Sequence, residues 1–349
     1  MIKYVTYLEN FDKNSPLSVV AEVSANHEGN IETAKKIIDI ASRSGANAVK
    51  FQTYTADSIS MDSQEEDFLL PAGSPWERFG SFYKLYSKSY TPREWHKELF
   101  THAKSQGLIP FSSPFSESDV DFLETLDCPF YKLASPEINH LPLIETIAKT
   151  EKSILISLGT ASESQLEKAL AKFRSISKAE IVVMQCESEY PASATNSNLI
   201  LLNTLRKKYN VVVGFSDHTI DSKAAIIATA LGAKVIEKHI TLNSSNDVID
   251  GFFSATENNF SDYCNEIRES EKILGESVYR NSNEFESNPK QRSIYPLRDL
   301  VAGQVVSKSD FKIVRPGHSL SPEFLDSISG KKLVRDIRKG ERVTLKDFS

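Results

Sequence analysis

The chain has 349 residues and a formal net charge of −6, and 40% of its residues are hydrophobic and 25% charged. This composition is that of an ordinary globular protein, and the acidic balance argues against nucleic acid or an anionic membrane as the main partner. The three cysteines are scattered, which is typical of a reducing compartment. The longest apolar run, about residues 224–233, is too short to span a bilayer. We therefore expect a cytoplasmic enzyme.

Eight short β-rich runs recur along the chain, and a segment of helical periodicity follows each of them. The predicted strands are Ser18–Val23, Ala48–Thr53, Ile109–Ser113, Phe130–Ser135, Ser153–Leu158, Ile181–Glu187, Val211–Ser216 and Lys234–Thr241. Segments such as IETAKKIIDIASRSG repeat apolar residues at three- and four-residue spacing. Eight strand–helix units predict an α/β fold, a TIM (β/α)8 barrel. A doubly wound sheet is the alternative, although no GxGxxG follows the first strand.

Two further segments stand apart from this repeat. The connection after the second strand, residues 54–90, is long and rich in acidic and aromatic residues, which indicates a lid or binding loop. We predict a barrel domain over residues 1–280, a linker over 281–292 and a small β-rich domain over 293–349. Because the last domain is small, we expect it to dock on the barrel or on a neighbouring subunit.

Polar residues end most of the predicted strands, where a TIM barrel carries its catalytic groups. Lys50 and Lys132 lie inside the apolar runs AVKFQ and YKLAS. A phosphate or carboxylate would satisfy ammonium groups that are otherwise costly to bury. Serines that accompany the two lysines are Ser113, Ser135, Ser157 and Ser216. The lysines and serines predict an anion site, unless each lysine pairs with a nearby glutamate, such as Glu22 or Glu137, and binds nothing.

Two histidines and two acids complete the candidates. His218 and His239 end neighbouring predicted strands, and two imidazoles near carboxylates suit a divalent ion such as Mn²⁺. Each histidine taken alone is more typical of a hydrogen-bonded structural residue. Glu137 follows the fourth strand, where burial favours its neutral form and Lys132 its charged form. Asp250 is either a second acid–base candidate or a turn residue.

The motifs together resemble a known family. AEVSANHEGN, PFSSPFSESDVDFLE, PFYKLASPEI, LISLGTAS, CESEYPAS, GFSDHT and EKHIT stand in the order and spacing typical of the sialic acid synthase family, the phosphoenolpyruvate-dependent nonulosonate synthases. The resemblance covers about residues 17–275. The C-terminal RPGHSLSPEFLDSISGKKLVRDI resembles the antifreeze-protein-like (SAF) domain of these enzymes, and the long connection is most similar to the pseudaminic acid branch.

The resemblance implies that phosphoenolpyruvate condenses with an open-chain N-acylated 6-deoxy-hexosamine, giving a nonulosonic acid and phosphate, with assistance from a divalent metal (Mn²⁺, or Mg²⁺ or Co²⁺). It assigns phosphoenolpyruvate to Lys50, Ser113, Lys132, Ser135, Ser157 and Ser216, and the metal to His218 and His239. It assigns the attacking water to Glu137, a further catalytic carboxylate to Glu22, and the sugar to Gln52, Tyr190, Asp250 and Arg315. Arg315 would reach the barrel of the partner, which implies a domain-swapped homodimer.

Some segments depart from the family pattern: SLGTAS, SPE, CESEYP and SNDVIDGFFS. CESEYP adds Glu187 and Glu189, which would weaken an anion site unless they point away or pair with cations. These departures bear on the identity of the substrate more than on the type of reaction. The alternatives are an N-acetylneuraminate or legionaminate synthase, a Schiff-base TIM-barrel aldolase, and a non-catalytic sugar-binding protein.

Overall fold

A closed barrel of eight parallel strands forms the first part of the chain. The computed structural model describes residues 16–245, 247–275 and 288–349, and the chain divides into two compact units, Met1–Gly275 and Glu276–Ser349. The strands are β1 (Ser18–Glu22), β2 (Ala48–Thr53), β3 (Ile109–Pro114), β4 (Tyr131–Leu133), β5 (Ile154–Ser157), β6 (Ile181–Cys186), β7 (Val212–Asp217) and β8 (Val235–His239). The predicted TIM barrel is confirmed, and the doubly wound alternative is wrong, because β8 pairs with β1 and closes the sheet.

Helices follow the strands around the barrel. They are α1 (Ile31–Arg43), α2 (Ala56–Ile59), α3 (Phe82–Ser89), α4 (Arg93–Ser105), α5 (Glu117–Glu124), α6 (Leu141–Lys149), α7 (Glu163–Arg174), α8 (Leu201–Tyr209), α9 (Lys223–Ala230) and α10 (Glu257–Leu274). Polar caps start several of them, as the sequence predicts: Asn30 accepts from the Glu32 N–H, and Ser162 forms a capping box with Gln165. Among the described residues, no helix is long and apolar enough to cross a membrane.

The alternation of side chains along each strand decides which residues face the barrel interior. In β8, Glu237 and His239 share one face because residues two apart point the same way. Lys238 lies on the opposite face, where its ammonium group sits over the ring of Tyr263 in α10. The layer between barrel and helices is packed with buried side chains such as Phe51 of β2, whose ring stacks on Phe100 of α4 with centroids 5.7 Å apart. The interior-facing polar side chains Glu237 and His239 thus lie at the carboxyl end of β8.

The second unit is a small β-rich domain with its own core. Its strands β9 (Ser293–Pro296) and β10 (Phe311–Val314) pair antiparallel, and a short helix α11 (Leu325–Ile328) follows. The core of this unit consists of Ile294, Leu300, Val306, Phe311, Ile328, Leu333, Ile337, Val343 and Phe348. Arg315 directly follows β10 and is exposed. Most of the predicted linker, residues 281–287, lies outside the described residues.

Candidate active site

A cavity of about 430 Å³ opens at the carboxyl ends of the barrel strands. The predicted site residues that line it are Lys50, Gln52, Lys132, Ser135, Ser157, Tyr190, Ser216, His218, His239 and Asp250. Glu22, Ser113 and Glu137 do not line it, and Arg315 belongs to the second unit. One place in the barrel therefore collects groups that come from six different strands or the loops that follow them.

Lys50 is the centre of a buried charge cluster. Its Nζ lies 2.7 Å from a carboxylate oxygen of Glu237 and 3.3 Å from one of Glu22. Burial lowers the pKa of Lys50, but the two carboxylates outweigh it and raise that pKa overall. The alternative in which each lysine pairs with a nearby glutamate is therefore partly true of Lys50, and Glu237 is the closer of its two partners.

The two buried lysines have only one firmly ionised carboxylate between them. Lys132 approaches Glu237 only to 3.9 Å. Burial raises the pKa of Glu22, which favours the neutral acid. Burial acts on Glu237 in the same direction, but Lys132 and Lys50 hold its pKa well below the ordinary value. Burial lowers the pKa of Lys132, and Glu237 opposes that shift. The two lysines thus share one firmly ionised carboxylate, and an anion bound beside them would stabilise the charged form of both.

Hydroxyl groups surround the two lysines. Ser216 donates to Glu237 at 3.2 Å, and Ser135 donates to the Leu158 carbonyl at 3.2 Å. Ser157 Oγ and the second oxygen of Glu237 are buried and have no hydrogen-bond partner among the described residues. Buried polar atoms are normally satisfied, so these two atoms mark positions where a polar ligand would supply the missing bonds.

His218 and His239 stand together at the same depth, with ring centroids 5.3 Å apart. The Nδ1–H of His218 donates to the Glu187 carbonyl at 2.7 Å, which leaves Nε2 with a free lone pair. Burial lowers the pKa of His218 to about 4 and holds the pKa of His239 well below its ordinary value, so both rings are neutral near pH 7. Neutral imidazoles are metal ligands.

The residue set fits a metal only in part. Among the described residues, no group of three or more His, Cys, Asp or Glu side chains has the arrangement of a metal site. Nδ1 of His239 is buried and has no hydrogen-bond partner in the described part of the chain, so it can accept a bond from a ligand or bind a metal. The protein would therefore supply two nitrogen donors, and substrate or water would have to complete the coordination.

The residues predicted to hold a sugar form a second group at the cavity rim. Gln52 donates to Glu22 at 2.8 Å and to Ser24 at 3.0 Å. Ser24 in turn donates to Asp250 at 2.5 Å, so Asp250 is more than a turn residue. The ring of Tyr190 packs against His218 with centroids 4.4 Å apart. Tyr190 also packs on Phe253 with centroids 4.9 Å apart, so the loops after β1 and after β6 both contact the loop after β8.

Glu137 and Ser113 lie near the cavity without lining it. Glu137 is half-buried in the turn after β4, and burial raises its pKa to about 7 although Lys132 opposes the shift. One of its oxygens and Ser113 Oγ are buried without a hydrogen-bond partner among the described residues. Both residues thus retain unused hydrogen-bonding capacity close to the charge cluster.

The extra carboxylates of the CESEYP segment do not oppose the anion site. Neither Glu187 nor Glu189 lines the cavity, and Glu189 is exposed. Glu187 contributes its backbone carbonyl to His218. Glu187 and Glu189 therefore do not add carboxylates to the lining of the anion site.

Sequence reasoning missed Glu237 and did not identify which residues of the predicted binding loop, the connection after β2, line the cavity. Glu237 stands two residues before His239, so alternation along β8 could have placed it inside the barrel beside the histidine. The connection after β2 adds Leu70, Trp76 and Phe82 to the cavity lining. Leu70 and Trp76 lie outside the helix Phe82–Ser89 of that connection, and no periodic pattern predicts that their side chains turn inward.

Models of known families match both units. The NeuB family model matches residues 37–279, and the SAF domain model matches residues 291–349. Pseudaminic acid synthase of Campylobacter jejuni subsp. jejuni serotype O:2 is 37% identical over 340 residues, which cover 97% of this chain and 98% of that protein. Pseudaminic acid synthase of Helicobacter pylori is 37% identical over 341 residues, with 95% and 98% covered. The crystal structure of N-acetylneuraminic acid synthetase from Leptospira borgpetersenii, in complex with citrate, is 27% identical with a TM-score of 0.67 and covers 78% of this chain and 94% of that chain.

Proposed function

The chain belongs to the NeuB family, and from that membership we propose that it is a phosphoenolpyruvate-dependent nonulosonate synthase that makes a product of the pseudaminic acid type. C3 of phosphoenolpyruvate attacks the aldehyde carbon of an open-chain N-acylated 6-deoxy-hexosamine, and the aldehyde oxygen takes up a proton. Water adds at C2, and phosphate leaves by cleavage of its C–O bond. The remaining C2 hydroxyl becomes the ketone of a nine-carbon 2-keto acid. An enzyme that draws on phosphoenolpyruvate would work in the cytoplasm.

The observation that carries this proposal is the positively charged cavity floor. Lys50 and Lys132 are both buried and converge on a single ionised carboxylate, with the hydroxyls of Ser135, Ser157 and Ser216 around them. Phosphoenolpyruvate carries a phosphate and a carboxylate, and charge-assisted hydrogen bonds from ammonium and hydroxyl groups suit both. Ser113 would support the same anion from just behind the cavity surface.

In this proposal, carboxyl groups carry out the proton transfers. Glu137 would hold the attacking water and accept its proton, because a pKa near 7 suits a general base at neutral pH. Glu22 would be a further catalytic carboxylate, with a pKa raised by burial. Gln52, Tyr190 and Asp250 would hold the sugar at the rim.

A divalent ion would be held by His218 and His239. When bound there, Mn²⁺ (or Mg²⁺ or Co²⁺) would polarise the aldehyde oxygen as a Lewis acid. His218→Ala and His239→Ala should each abolish binding of Mn²⁺, measured by the loss of the free-ion electron paramagnetic resonance signal. His102→Ala is the matched control, because His102 does not line the cavity and pairs with Asp39 at 2.7 Å, and this variant should bind Mn²⁺ like the parent protein.

We assign Arg315 to the sugar, contributed by the partner in a domain-swapped homodimer. Arg315→Ala should raise KM for the sugar and lower kcat while KM for phosphoenolpyruvate stays unchanged. Arg298→Ala is the control, since Arg298 pairs with Asp310 inside the second unit. Mixing Arg315→Ala with a barrel variant such as Lys132→Ala should restore part of the activity if the arginine acts across the dimer.

The deciding experiment is phosphate release from phosphoenolpyruvate with each candidate N-acylated hexosamine and Mn²⁺. We expect release with a 6-deoxy diacylamino sugar, and turnover of N-acetylmannosamine or the legionaminate precursor instead would reassign the branch. Absence of release with every sugar would refute the synthase proposal. Borohydride trapping of a substrate on Lys50 or Lys132 would establish the Schiff-base aldolase alternative.

A further inference from the structure

One buried residue of the cavity has a backbone conformation that is unfavourable for a residue with a side chain. Ser24, two positions after β1, lines the cavity, is 3% exposed and has φ +47°. Left-handed backbone places the Cβ too close to the following carbonyl oxygen. The other described non-glycine residues with a positive φ are all exposed: Glu28, Asp127, Glu151, Asn198 and Asn210. Strain at a buried position inside a cavity indicates that the side chain has a task there.

The conformation of Ser24 directs two donors at one carboxylate. The Ser24 hydroxyl donates to Oδ2 of Asp250 at 2.5 Å, and the N–H of Ala25 approaches the same oxygen at 3.4 Å. Burial raises the pKa of Asp250, and the Ser24 hydroxyl is the strongest of the contacts that oppose this shift. Ser24 therefore stabilises the ionised form of a carboxylate that lines the cavity.

The same hydroxyl fixes the orientation of Gln52. Nε2 of Gln52 carries two hydrogens, and it donates to Ser24 Oγ at 3.0 Å and to Glu22 at 2.8 Å. Both amide donors are thereby used within the protein, so the amide oxygen is the end that remains for a ligand. Because it accepts from Gln52 and donates to Asp250, Ser24 joins two residues that line the cavity and are assigned to the sugar.

Other contacts hold the loop after β8 independently of this hydroxyl. Nδ2 of Asn26 donates to Ser254 Oγ at 2.9 Å. The indole N–H of Trp76 donates to the Ile249 carbonyl at 2.9 Å. The backbone is thus anchored on both sides of Asp250. Loss of the serine hydroxyl should leave this loop in place and release only the two side chains that the hydroxyl contacts.

We propose that Ser24 is a positioning residue of the reaction, whose hydroxyl holds the carboxylate of Asp250 and the amide of Gln52 in the orientation that binds the sugar. Its left-handed backbone aims the hydroxyl at Asp250. Glycine would remove the strain and lose the hydroxyl, so this position exchanges stability for binding. The inference rests on the proposed function, because that function assigns Gln52 and Asp250 to the sugar.

The test compares Ser24→Gly with Ser24→Ala, since both remove the hydroxyl and only glycine relieves the strain. With a 6-deoxy-2,4-diacetamido-hexose as the acceptor, kcat/KM for the sugar should fall about 10- to 100-fold in both variants, the loss that follows from misplaced binding groups. The fall should come mainly from a higher KM for the sugar, with KM for phosphoenolpyruvate unchanged. Ser24→Gly should melt at a higher temperature than Ser24→Ala.

Glu28→Gly is the matched control. Glu28 ends the same turn with φ +52°, but it is exposed and does not line the cavity. This variant should raise the melting temperature and leave the kinetic constants at their parent values, because it relieves strain without removing a contact to the site.

Asp250→Ala shows whether the hydroxyl acts through its partner. In that background, removing the Ser24 hydroxyl should lower kcat/KM for the sugar at least fivefold less than it does in the parent enzyme. An equal loss in both backgrounds overturns the inference, as do parent-like sugar kinetics in Ser24→Gly and Ser24→Ala. A loss in one of these two variants alone would trace to the backbone and also overturns it.

Ser24→Gly keeps the test decisive if Ser24→Ala fails to fold. In each of these outcomes, phosphate release by the parent enzyme still upholds the proposed function. If the parent enzyme releases no phosphate with any acceptor, both proposals fall.

Discussion

Replacing Gly159 with alanine should move Ser135 and damage phosphoenolpyruvate binding. Gly159 has φ +50°, and a Cβ built on it would lie 2.6 Å from the Ser135 Cβ and closer still to the hydroxyls of Ser135 and Ser188. Ordinary carbon–carbon contacts are about 3.5–4.0 Å, so Ser135 must retreat by about 1 Å. That shift strains its 3.2 Å hydrogen bond to the Leu158 carbonyl.

The expected magnitude follows from this displacement. A misplacement of about 1 Å in a binding group can cost about 100-fold in rate, so we expect kcat/KM for phosphoenolpyruvate to fall by 10- to 100-fold. The left-handed backbone adds roughly 1–2 kcal/mol of destabilisation for alanine. Initial rates of phosphate release against phosphoenolpyruvate concentration measure the first effect, and urea unfolding measures the second.

Gly107→Ala separates the two causes. Gly107 also has a positive φ, +78°, but nothing lies within 4 Å of the position its Cβ would take. This control should lose stability to a similar extent and keep normal kinetics. A folded Gly159→Ala enzyme whose kcat/KM for phosphoenolpyruvate stays within twofold of the parent value would refute the reasoning and remove Ser135 from the anion site.

Three further predictions concern the buried charges. Glu237→Gln removes the closer partner of Lys50 and should cost about 3 kcal/mol in urea unfolding, while added phosphoenolpyruvate should raise the melting temperature more than in the parent protein. Tyr263→Phe removes the 2.7 Å hydrogen bond to the buried carboxylate of Asp217 and should cost about 1–3 kcal/mol. Burial raises the pKa of Glu137 from 4.5 to about 7, so ionisation of this carboxyl group opposes folding. Its contribution to the free energy of unfolding is fully present below pH 4.5 and should fall by about 3 kcal/mol as the pH rises through 7, measured relative to Glu137→Gln.

Each of these three predictions has a control or an outcome that would contradict it. Tyr209→Phe is the control for Tyr263, because its hydroxyl bonds to Glu163 on the protein surface and its loss should stay within about 0.5 kcal/mol. Parallel pH–stability curves for the parent and Glu137→Gln would show that Glu137 is ionised without cost. An unchanged unfolding midpoint for Glu237→Gln would mean that Glu22 alone suffices for Lys50.

The barrel was predictable because each strand is buried on both faces and stands out as a short β-rich run between amphipathic helices. Strand ends were less certain: the run predicted as Phe130–Ser135 forms a strand only over Tyr131–Leu133. After Leu133 the chain turns into a short 3₁₀ helix, and hydrophobicity alone does not mark that change.

The candidate site was predictable at positions where burying the side chain costs free energy. A lysine inside an apolar strand requires a partner, and Lys50 and Lys132 stand out for that reason. Glu237 was overlooked because its neighbours Lys238 and His239 are equally polar, and only the alternation along the strand separates inside from outside. The part of the cavity lining that comes from the connection after β2 depends on contacts between distant segments, which no local pattern encodes; the indole N–H of Trp76, for example, donates to the Ile249 carbonyl at 2.9 Å.

The hydrogen bond from Trp76 to Ile249 has a consequence for engineering the protein. It makes the segment before α3 and the loop after β8 a matched pair, although they lie 173 positions apart in the chain. Transplanting the 54–90 connection from a relative should therefore succeed only when residues 247–253 are exchanged with it. The two loops together form the exchangeable module of this scaffold, and a chimera that swaps one of them alone would leave an indole without its acceptor.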